Sequence, residues 1–203
     1  MTLLEEIPSE SFREGSIPVL ETKRLALRAP RLEDAKTVAA LVNDRRIAEN
    51  VARIPHPYKK SDAESFITGA NKPGGEAVFL ITLHDDTIIG ACGLIMQDKE
   101  QAPELGYWLG VKYWGQGYAT EALHAVIDYA FTDLGYPALT AAARVTNPLS
   151  RRVLEKCGFQ WTGVGLCRIR AINSSAPIDR FRLERGIWSA IKTWGKGKVK
   201  RAV

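Results

Sequence analysis

The segment Tyr113-Trp-Gly-Gln-Gly-Tyr-Ala-Thr120 joins a predicted strand to the most regular predicted helix of the chain. Gly115 and Gly117 let the backbone approach a ligand closely, because glycine carries no Cβ. The first amides of the helix, around Gly117 to Thr120, have no partner within the helix and lie at the positive end of its dipole. The segment therefore predicts a site for an anion such as a phosphate or pyrophosphate. A plain strand-to-helix turn is the alternative.

Two well-known phosphate-binding loops differ from this segment. The P-loop pattern G-x-x-x-x-G-K-[ST] is absent, and the dinucleotide pattern G-x-G-x-x-G fails at its third glycine, where Thr120 stands. No acidic residue that could bind a ribose lies between Pro137 and Ala143. Nucleotide hydrolysis and NAD binding are therefore disfavoured.

The hydrophobic pattern of the whole chain predicts one α+β domain. Strands are predicted at residues 24–28, 77–83, 88–95, 103–111, 139–143, 160–171 and 178–183. Helices are predicted at residues 32–42, from a capping box at Ser61-Asp-Ala-Glu64, at 119–134 and at 148–157. His124 falls on the polar face of the third helix, where exposure to solvent is expected.

Composition narrows the class of protein. The chain has 203 residues, of which 45% are hydrophobic, and a net charge of +5. Residues 192–203 hold five basic side chains and no acid, so the rest of the chain is formally neutral and a specific nucleic-acid partner is not expected. No apolar run reaches the roughly 20 residues that span a membrane, and the N-terminus lacks a basic signal region. We therefore expect a cytoplasmic protein without a membrane partner.

The cysteines and histidines do not form a recognisable metal site. Cys92, Cys157 and Cys167 are far apart and form no C-x-x-C pair, and the three histidines are equally scattered. We expect no metal and no disulfide framework, which fits a reducing compartment.

The segment from Asn147 to Phe159 predicts a helix directly after a short strand. Asn147 is a good N-cap, Pro148 follows where a missing N–H costs nothing, and Gly158 ends the helix. Capping explains these residues. It does not explain why the helix follows a strand directly after the predicted anion site.

Together, the two segments resemble the GNAT superfamily of N-acetyltransferases, which use acetyl-CoA. The family's Q/R-x-x-G-x-G/A loop is matched by Trp114-Gly-Gln-Gly-Tyr-Ala119, in which Trp114 replaces the usual Gln or Arg. Its N-x-x-[AS] helix, which ends in E-K-x-G-F, is matched by Asn147, Ser150 and Glu155-Lys-Cys-Gly-Phe159.

Five segments resemble, more narrowly, the branch that contains the ribosomal-protein N-terminal (alanine or serine) acetyltransferases. They are Glu21-Thr-Lys-Arg-Leu25, Pro57-Tyr58, Glu104-Leu-Gly-Tyr-Trp108, Trp114-Gly-Gln-Gly-Tyr-Ala-Thr-Glu-Ala122 and Ser150-Arg-Arg-Val-Leu-Glu155. The resemblance implies a single GNAT-type α+β domain. Its central sheet is mixed, mostly antiparallel and twisted, with six to seven strands, flanked by helices and splayed at the acetyl-CoA site. Residues 1–20 are then an N-terminal extension, 21–190 the N-acetyltransferase domain and 191–203 a basic C-terminal tail.

The resemblance also implies which residues bind acetyl-CoA. Backbone groups of Leu109 and Val111 pair with the pantetheine, amides of Gln116, Gly117, Tyr118, Ala119 and Thr120 hold the pyrophosphate, and Asn147 and Ser150 face the thioester. Leu154 stands where many relatives have a tyrosine that acts as the general acid. Ser150 is the nearest replacement, either as the acid or as a group that only orients the leaving sulfur.

Direct attack on a thioester needs a neutral amine, whereas an α-amino group has a pKa of about 7.7–8.0 and lysine about 10.4. Glu104 is the candidate base, acting through a water, because strand alternation places it on one face with Gly106 and Trp108. Trp108 then lines the acceptor groove. An exposed strand glutamate without a catalytic role is the alternative. Tyr58, in a Pro-rich turn, is a second candidate for substrate binding, and packing is its equal alternative.

The predicted function is direct transfer of an acetyl group from acetyl-CoA to a primary amine. The expected acceptor is the N-terminus of a protein or peptide, such as a ribosomal protein. A small amine (an antibiotic, a polyamine or an amino acid) is the alternative acceptor. A non-catalytic module that binds CoA or RNA is the alternative class. The chain is expected to be a monomer or a homodimer.

Overall fold

The computed structural model describes residues 17–70, 76–96 and 102–194. The strands are Leu20–Glu21 (β1), Leu25–Arg28 (β2), Ala77–Leu83 (β3), Ile88–Ile95 (β4), Glu104–Leu109 (β5), Ala138–Arg144 (β6), Gln160–Ile169 (β7) and Ser174–Glu184 (β8). The helices are Ala35–Val42 (α1), Arg45–Ala48 (α2), Lys60–Ala70 (α3), Tyr118–Thr132 (α4), Pro148–Lys156 (α5) and Arg185–Trp194 (α6).

All eight strands form one sheet in the order β1-β2-β3-β4-β5-β6-β8-β7. Neighbouring strands are antiparallel except β5 and β6, which run parallel. Side chains of successive strand residues point to opposite faces, so Phe79 and Ile81 pack with α4 on one face while Leu80 packs with α1 and α3 on the other. The two faces therefore bury separate hydrophobic clusters.

The predicted α+β fold with a mixed, mostly antiparallel sheet is confirmed, with eight strands instead of six to seven. The additional strand is β1, in which Leu20 pairs with Leu27. Two residues are too few to show a period of two, so the hydrophobic pattern did not reveal this strand. The start of α3 also differs from the prediction. The helix begins at Lys60, and the Asp62 side chain accepts a hydrogen bond of 2.8 Å from the Lys59 amide.

Helix α6 was not predicted from the sequence, and it corrects the prediction for His124. The Trp188 side chain is buried against the main core, and its indole Nε1 donates to Asp128 Oδ1 at 2.7 Å. The His124 ring contacts the Trp188 ring edge to face, with centroids 5.1 Å apart. His124 is thus half-buried, and burial lowers its pKa. The prediction that His124 is exposed is wrong, because α6 covers that face of α4.

The regular elements extend slightly beyond the predicted domain boundaries of 21 and 190, because β1 starts at Leu20 and α6 ends at Trp194. Residues 1–16 of the predicted extension and 195–203 of the predicted tail lie outside the described residues. In the described part of the chain, no helix is both long and apolar enough to cross a membrane.

The packing of α6 can be tested with Trp188→Ala. We expect the free energy of unfolding to fall by about 3–5 kcal/mol, because the substitution leaves a large cavity in the core and removes one of the two donors to Asp128, the other being Lys192. Urea denaturation measures the change. Thr193→Ala is the matched control on the exposed side of the same helix and should stay within about 0.5 kcal/mol of the parent. Equal effects of the two substitutions would contradict the role of α6.

Candidate active site

The parallel strands β5 and β6 pair at one position and then separate. Their register joins only Glu104 to Thr140, where the Thr140 amide donates to the Pro103 carbonyl at 2.9 Å. Backbone groups of alternate residues point to the same side of a strand, so Tyr107 and Leu109 direct theirs into the gap. The gap opens into a cavity of about 410 Å³.

The loop of residues 113–120, predicted to bind an anion and called the anion loop below, lies at the α4 side of this cavity. Gly115 and Gly117 have φ of +75° and +81°, a left-handed conformation that favours glycine. Gly117 is the N-cap of α4, and no side chain caps this helix end. Gly117, Ala119 and Thr120 line the cavity. The first amides of α4 therefore remain available to an anion.

The other two predicted loop residues contact Arg24, which the sequence did not single out. Arg24 Nη1 donates to the Gln116 carbonyl at 3.0 Å, and its guanidinium lies 4.4 Å from the centre of the Tyr118 ring. Arg24 Nε also forms a salt bridge of 2.6 Å with Glu121. Arg24 thus holds the loop from outside the cavity.

The structure brings Leu109 to the cavity but not Val111. The Leu109 carbonyl accepts a hydrogen bond of 2.8 Å from the indole Nε1 of Trp114. Val111 lies in the 3₁₀ turn Val111–Tyr113, where its carbonyl accepts from the Trp114 amide at 3.1 Å. Trp114, the residue that departs from the family pattern, therefore ties the loop to the end of β5.

Asn147 and Ser150 line the cavity at the start of α5. Asn147 Oδ1 accepts from the Ser150 amide at 3.1 Å, so Asn147 is the predicted N-cap. Ser150 Oγ accepts a hydrogen bond of 2.9 Å from the hydroxyl of Tyr107. Burial raises the pKa of Tyr107 to about 12. Sequence reasoning missed Tyr107, because it points to the face of β5 opposite to Glu104 and only the fold brings it to Ser150.

Glu104 and Trp108 line the other side of the cavity. Trp108 packs against the clusters formed by α1, α2 and α3, which confirms that this face of β5 looks away from α4. Glu104 is half-buried. Burial raises the pKa of Glu104, and the positive charges of Arg53 and Arg180 oppose this shift.

Tyr58 is placed differently from the other candidates. Its side chain packs against the same two clusters as Trp108, and burial raises its pKa to about 12. It is not among the described residues that line the cavity. The structure therefore places Tyr58 outside the described lining of the cavity, and its role in substrate binding stays a prediction. In the described residues, no three histidine, cysteine or acidic side chains are grouped closely enough to bind a metal ion.

The family model described as "Acetyltransferase (GNAT) domain" matches residues 24–160. The chain therefore belongs to the GNAT acetyltransferase family. It is 33% identical, over 149 residues, to the uncharacterized N-acetyltransferase p20 of Bacillus licheniformis, a match that covers 71% of this chain and 84% of that protein.

Two solved structures show the same fold. A ribosomal-protein-S5-alanine acetyltransferase from Vibrio fischeri superposes with a TM-score of 0.71 and 20% identity, over 84% of this chain and 98% of that chain. A spermidine N-acetyltransferase from Vibrio cholerae, in complex with CoA and spermine, superposes with a TM-score of 0.71 and 22% identity, over 83% of this chain and 99% of that chain.

Proposed function

We propose that the chain transfers an acetyl group from acetyl-CoA to a primary amine by direct attack, and that the acceptor is the N-terminus of a protein or peptide. One observation carries this proposal. The gap between β5 and β6 connects an uncapped helix N-terminus on one side with the carboxylate of Glu104 on the other. An acyl donor with a pyrophosphate and an amine that must lose a proton need these two features together.

The residues around the gap fit acetyl-CoA. The amides of Gly117, Ala119 and Thr120 are donors for the pyrophosphate. The carbonyl of Leu109 is taken by Trp114, so its amide is the group offered to the pantetheine, and the thioester would follow toward Asn147 and Ser150. Val111, Gln116 and Tyr118 contribute to the shape of the loop through Trp114 and Arg24.

Glu104 supplies the base. An acceptor amine arrives mostly protonated at neutral pH, since the α-amino pKa is about 7.7–8.0. Burial raises the pKa of the Glu104 carboxylate, against the charges of Arg53 and Arg180, and a carboxylate with a raised pKa is a stronger base that takes this proton through a water. Trp108, four residues further along β5 on the same face, forms an apolar wall for the acceptor.

Ser150 stabilises the leaving sulfur by a hydrogen bond. Tyr107 donates to Ser150 Oγ, so the Ser150 hydrogen is left for the cavity. Full proton transfer from Tyr107 is unfavourable. Moving the proton from a phenol with a pKa of about 12 to a thiolate whose conjugate thiol has a pKa of about 8.5 costs about 5 kcal/mol of free energy. Tyr107 is therefore a positioning residue, and Ser150 is the hydrogen-bond donor.

The thiols give no sign of an acyl-enzyme. Cys92 and Cys157 are buried, and burial raises the pKa of Cys157 to about 12. Burial also raises the pKa of Cys167, which lines the cavity. A thiol that stays protonated is a poor nucleophile. Direct attack by the amine is the simpler route.

The acceptor class is tested by an acetyl-CoA consumption assay. N-terminal peptides that begin with Ser, Ala or Met are compared with aminoglycosides, polyamines and free amino acids. We expect turnover of the peptides, in keeping with the resemblance to ribosomal-protein acetyltransferases. Preference for a small amine would select the alternative acceptor class, and CoA binding without any turnover would select a non-catalytic module. Native mass spectrometry would show whether the protein is a monomer or a homodimer.

Gly117→Val tests the anion loop. A valine at φ of +81° strains the backbone beside the phosphates, so we expect CoA affinity to fall at least 10-fold, or about 1.4 kcal/mol, in calorimetry. Gly135→Val is the matched control, because Gly135 is also left-handed (φ +69°) but lies after the other end of α4. It should cost similar stability and leave CoA affinity unchanged. If Gly117→Val bound CoA as tightly as Gly135→Val, this loop would not be part of the CoA site.

Glu104→Gln tests the base. We expect kcat to fall by about 100-fold near pH 7 and the defect to shrink as the pH rises, because more of the acceptor amine is then already neutral. The dissociation constant of CoA should stay the same. Glu33→Gln removes the same charge from a side chain that is 73% exposed and should behave like the parent. Parallel pH–rate curves for Glu104→Gln and the parent would exclude Glu104 as the base.

A double-mutant cycle tests the Tyr107–Ser150 pair. We expect kcat to fall by about 100-fold in Ser150→Ala, which removes the donor, and by about 10-fold in Tyr107→Phe, which only leaves the donor unoriented. Because Tyr107 acts through Ser150, the double variant should match Ser150→Ala alone. Multiplied effects in the double variant would show that Tyr107 acts independently.

A further inference from the structure

The acceptor side of the sheet carries two arginines with a further potential role: Arg144, which the proposed chemistry does not use, and Arg180, whose charge also acts on Glu104. Arg144 ends β6, and Arg180 of β8 lies opposite Ala142 in the register. Thr140 pairs with Glu104, and residues 140, 142 and 144 share one face of β6. Both arginines therefore lie on the same face of the sheet as the Glu104 carboxylate.

Arg144 has a donor that no described residue satisfies. The residue lines the cavity, and its Nη1 donates to the Glu49 carbonyl at 2.8 Å. Its Nε is buried and has no hydrogen-bond partner in the described part of the chain. Leaving a buried charged donor unpaired costs about 1–3 kcal/mol or more, so such groups are rare without a function. An acceptor atom of a ligand would reach this buried Nε only after the Arg144 side chain turns toward the cavity that it lines.

The Arg180 side chain lies against Gly165 of the neighbouring strand β7, where a larger residue would not fit. A Cβ at Gly165 of β7 would lie 2.5 Å from Arg180 Nε and 2.8 Å from its Nη2. Gly165 does not have a left-handed φ, so its lack of a side chain is explained by space and not by backbone conformation. Gly165 therefore allows the Arg180 guanidinium to lie flat across β7.

The charges on this side do not balance. Glu104 is the only carboxylate among the described residues that line the cavity. Of the lining arginines nearby, Arg46 is paired with Asp44 at 2.7 Å and Arg53 with Glu76 at 2.5 Å. Among the described residues, neither Arg144 nor Arg180 forms a salt bridge with a carboxylate. The charge of Arg180 acts on the nearby Glu104. Even when Glu104 is ionised, one positive charge remains for a ligand.

We propose that the acceptor is a peptide N-terminus with an acidic side chain among its second to fourth residues, bound by Arg144 and Arg180. This inference rests on the proposed function. Arg180 and Arg144 stand two and four residues beyond the Glu104–Thr140 pair, which is roughly 7 and 13 Å along the strands at 3.3 Å per residue. An extended peptide advances by about the same length per residue, which places the anion a few residues from the reacting amine.

The same geometry disfavours the other acceptors. A polyamine brings only positive charges, which the two guanidinium groups repel. The carboxylate of a free amino acid lies within about 4 Å of its amine, which is short of the span to Arg144 when the amine is beside Glu104. A peptide separates the amine from the anion by the required distance.

Matched peptides test this inference. Ala-Asp-Asp-initiated and Ala-Asn-Asn-initiated peptides of otherwise equal sequence differ only in charge. We expect the parent protein to have at least a 10-fold higher kcat/KM for the acidic peptide at low salt, and a smaller ratio at 0.5 M salt, because salt screens charges. Spermidine and free aspartate are tested as acceptors in the same assay. Faster turnover of either than of the acidic peptide would overturn the inference.

Variants assign the preference to the two arginines. In Arg180→Gln and Arg144→Gln the acidic-to-amide ratio should fall at least threefold each, and in the double variant to about one. Arg144→Lys keeps the charge and should retain part of the ratio. Arg31→Gln, from a side chain that is 60% exposed, removes a remote charge and should leave the ratio unchanged. An unchanged ratio in the double variant would contradict the assignment, and Arg180→Gln alone still decides it if Arg144→Gln does not fold.

A binding measurement separates this inference from the proposed function. Calorimetry with the N-acetylated acidic and amide peptides, added to protein in the presence of CoA, requires no turnover. We expect at least 10-fold tighter binding of the acidic product. Equal binding, with both parent peptides acetylated at equal rates, would overturn the inference and leave the proposed function standing. Tighter binding of the acidic peptide without any acetylation would support the anion site and overturn the proposed function.

Discussion

The separation of the parallel strands β5 and β6 is the constraint on which the rest of the site depends. A parallel pair normally continues its ladder, but here it stops after Glu104 and Thr140. Backbone donors and acceptors beyond that point are left inside the sheet, where an unpaired polar group is costly. Trp114 satisfies one of them at Leu109. The remainder face a cavity, so the sheet itself supplies a binding edge for an extended polar ligand.

The two sides of that gap have different electrostatics, although neither depends on a dense cluster of charges. On the α4 side, the positive potential comes from backbone amides and a helix dipole, and Gly117 provides the conformation that presents them. On the other side it comes from guanidinium groups around a single carboxylate. Burial raises the pKa of Glu104 and the neighbouring arginines lower it, so the two effects on this half-buried acid partly offset each other.

At the strongest departure from the family pattern, a tyrosine from a strand lies next to the helix that lacks one. Leu154 is buried at the position where many relatives have a tyrosine, and it packs in the main core. A tyrosine hydroxyl nevertheless reaches the start of α5, from Tyr107 on β5. Burial raises the pKa of Tyr107 to about 12, which disfavours proton transfer from its hydroxyl and agrees with the orienting role proposed for it.

The sequence by itself determined most of the elements and several local features of the site: the periodic helix α4, the glycines at its start, the Asn147 cap and the resemblance to the family. These depend on residues within a few positions of each other, where spacing reports conformation directly. Only the tertiary structure decided that α6 covers His124, that Tyr107 meets Ser150 across 43 positions, and that Arg180 lies over Gly165. Such contacts depend on strand register and on which amphipathic faces meet, and a one-residue change in register would turn each side chain to the opposite face.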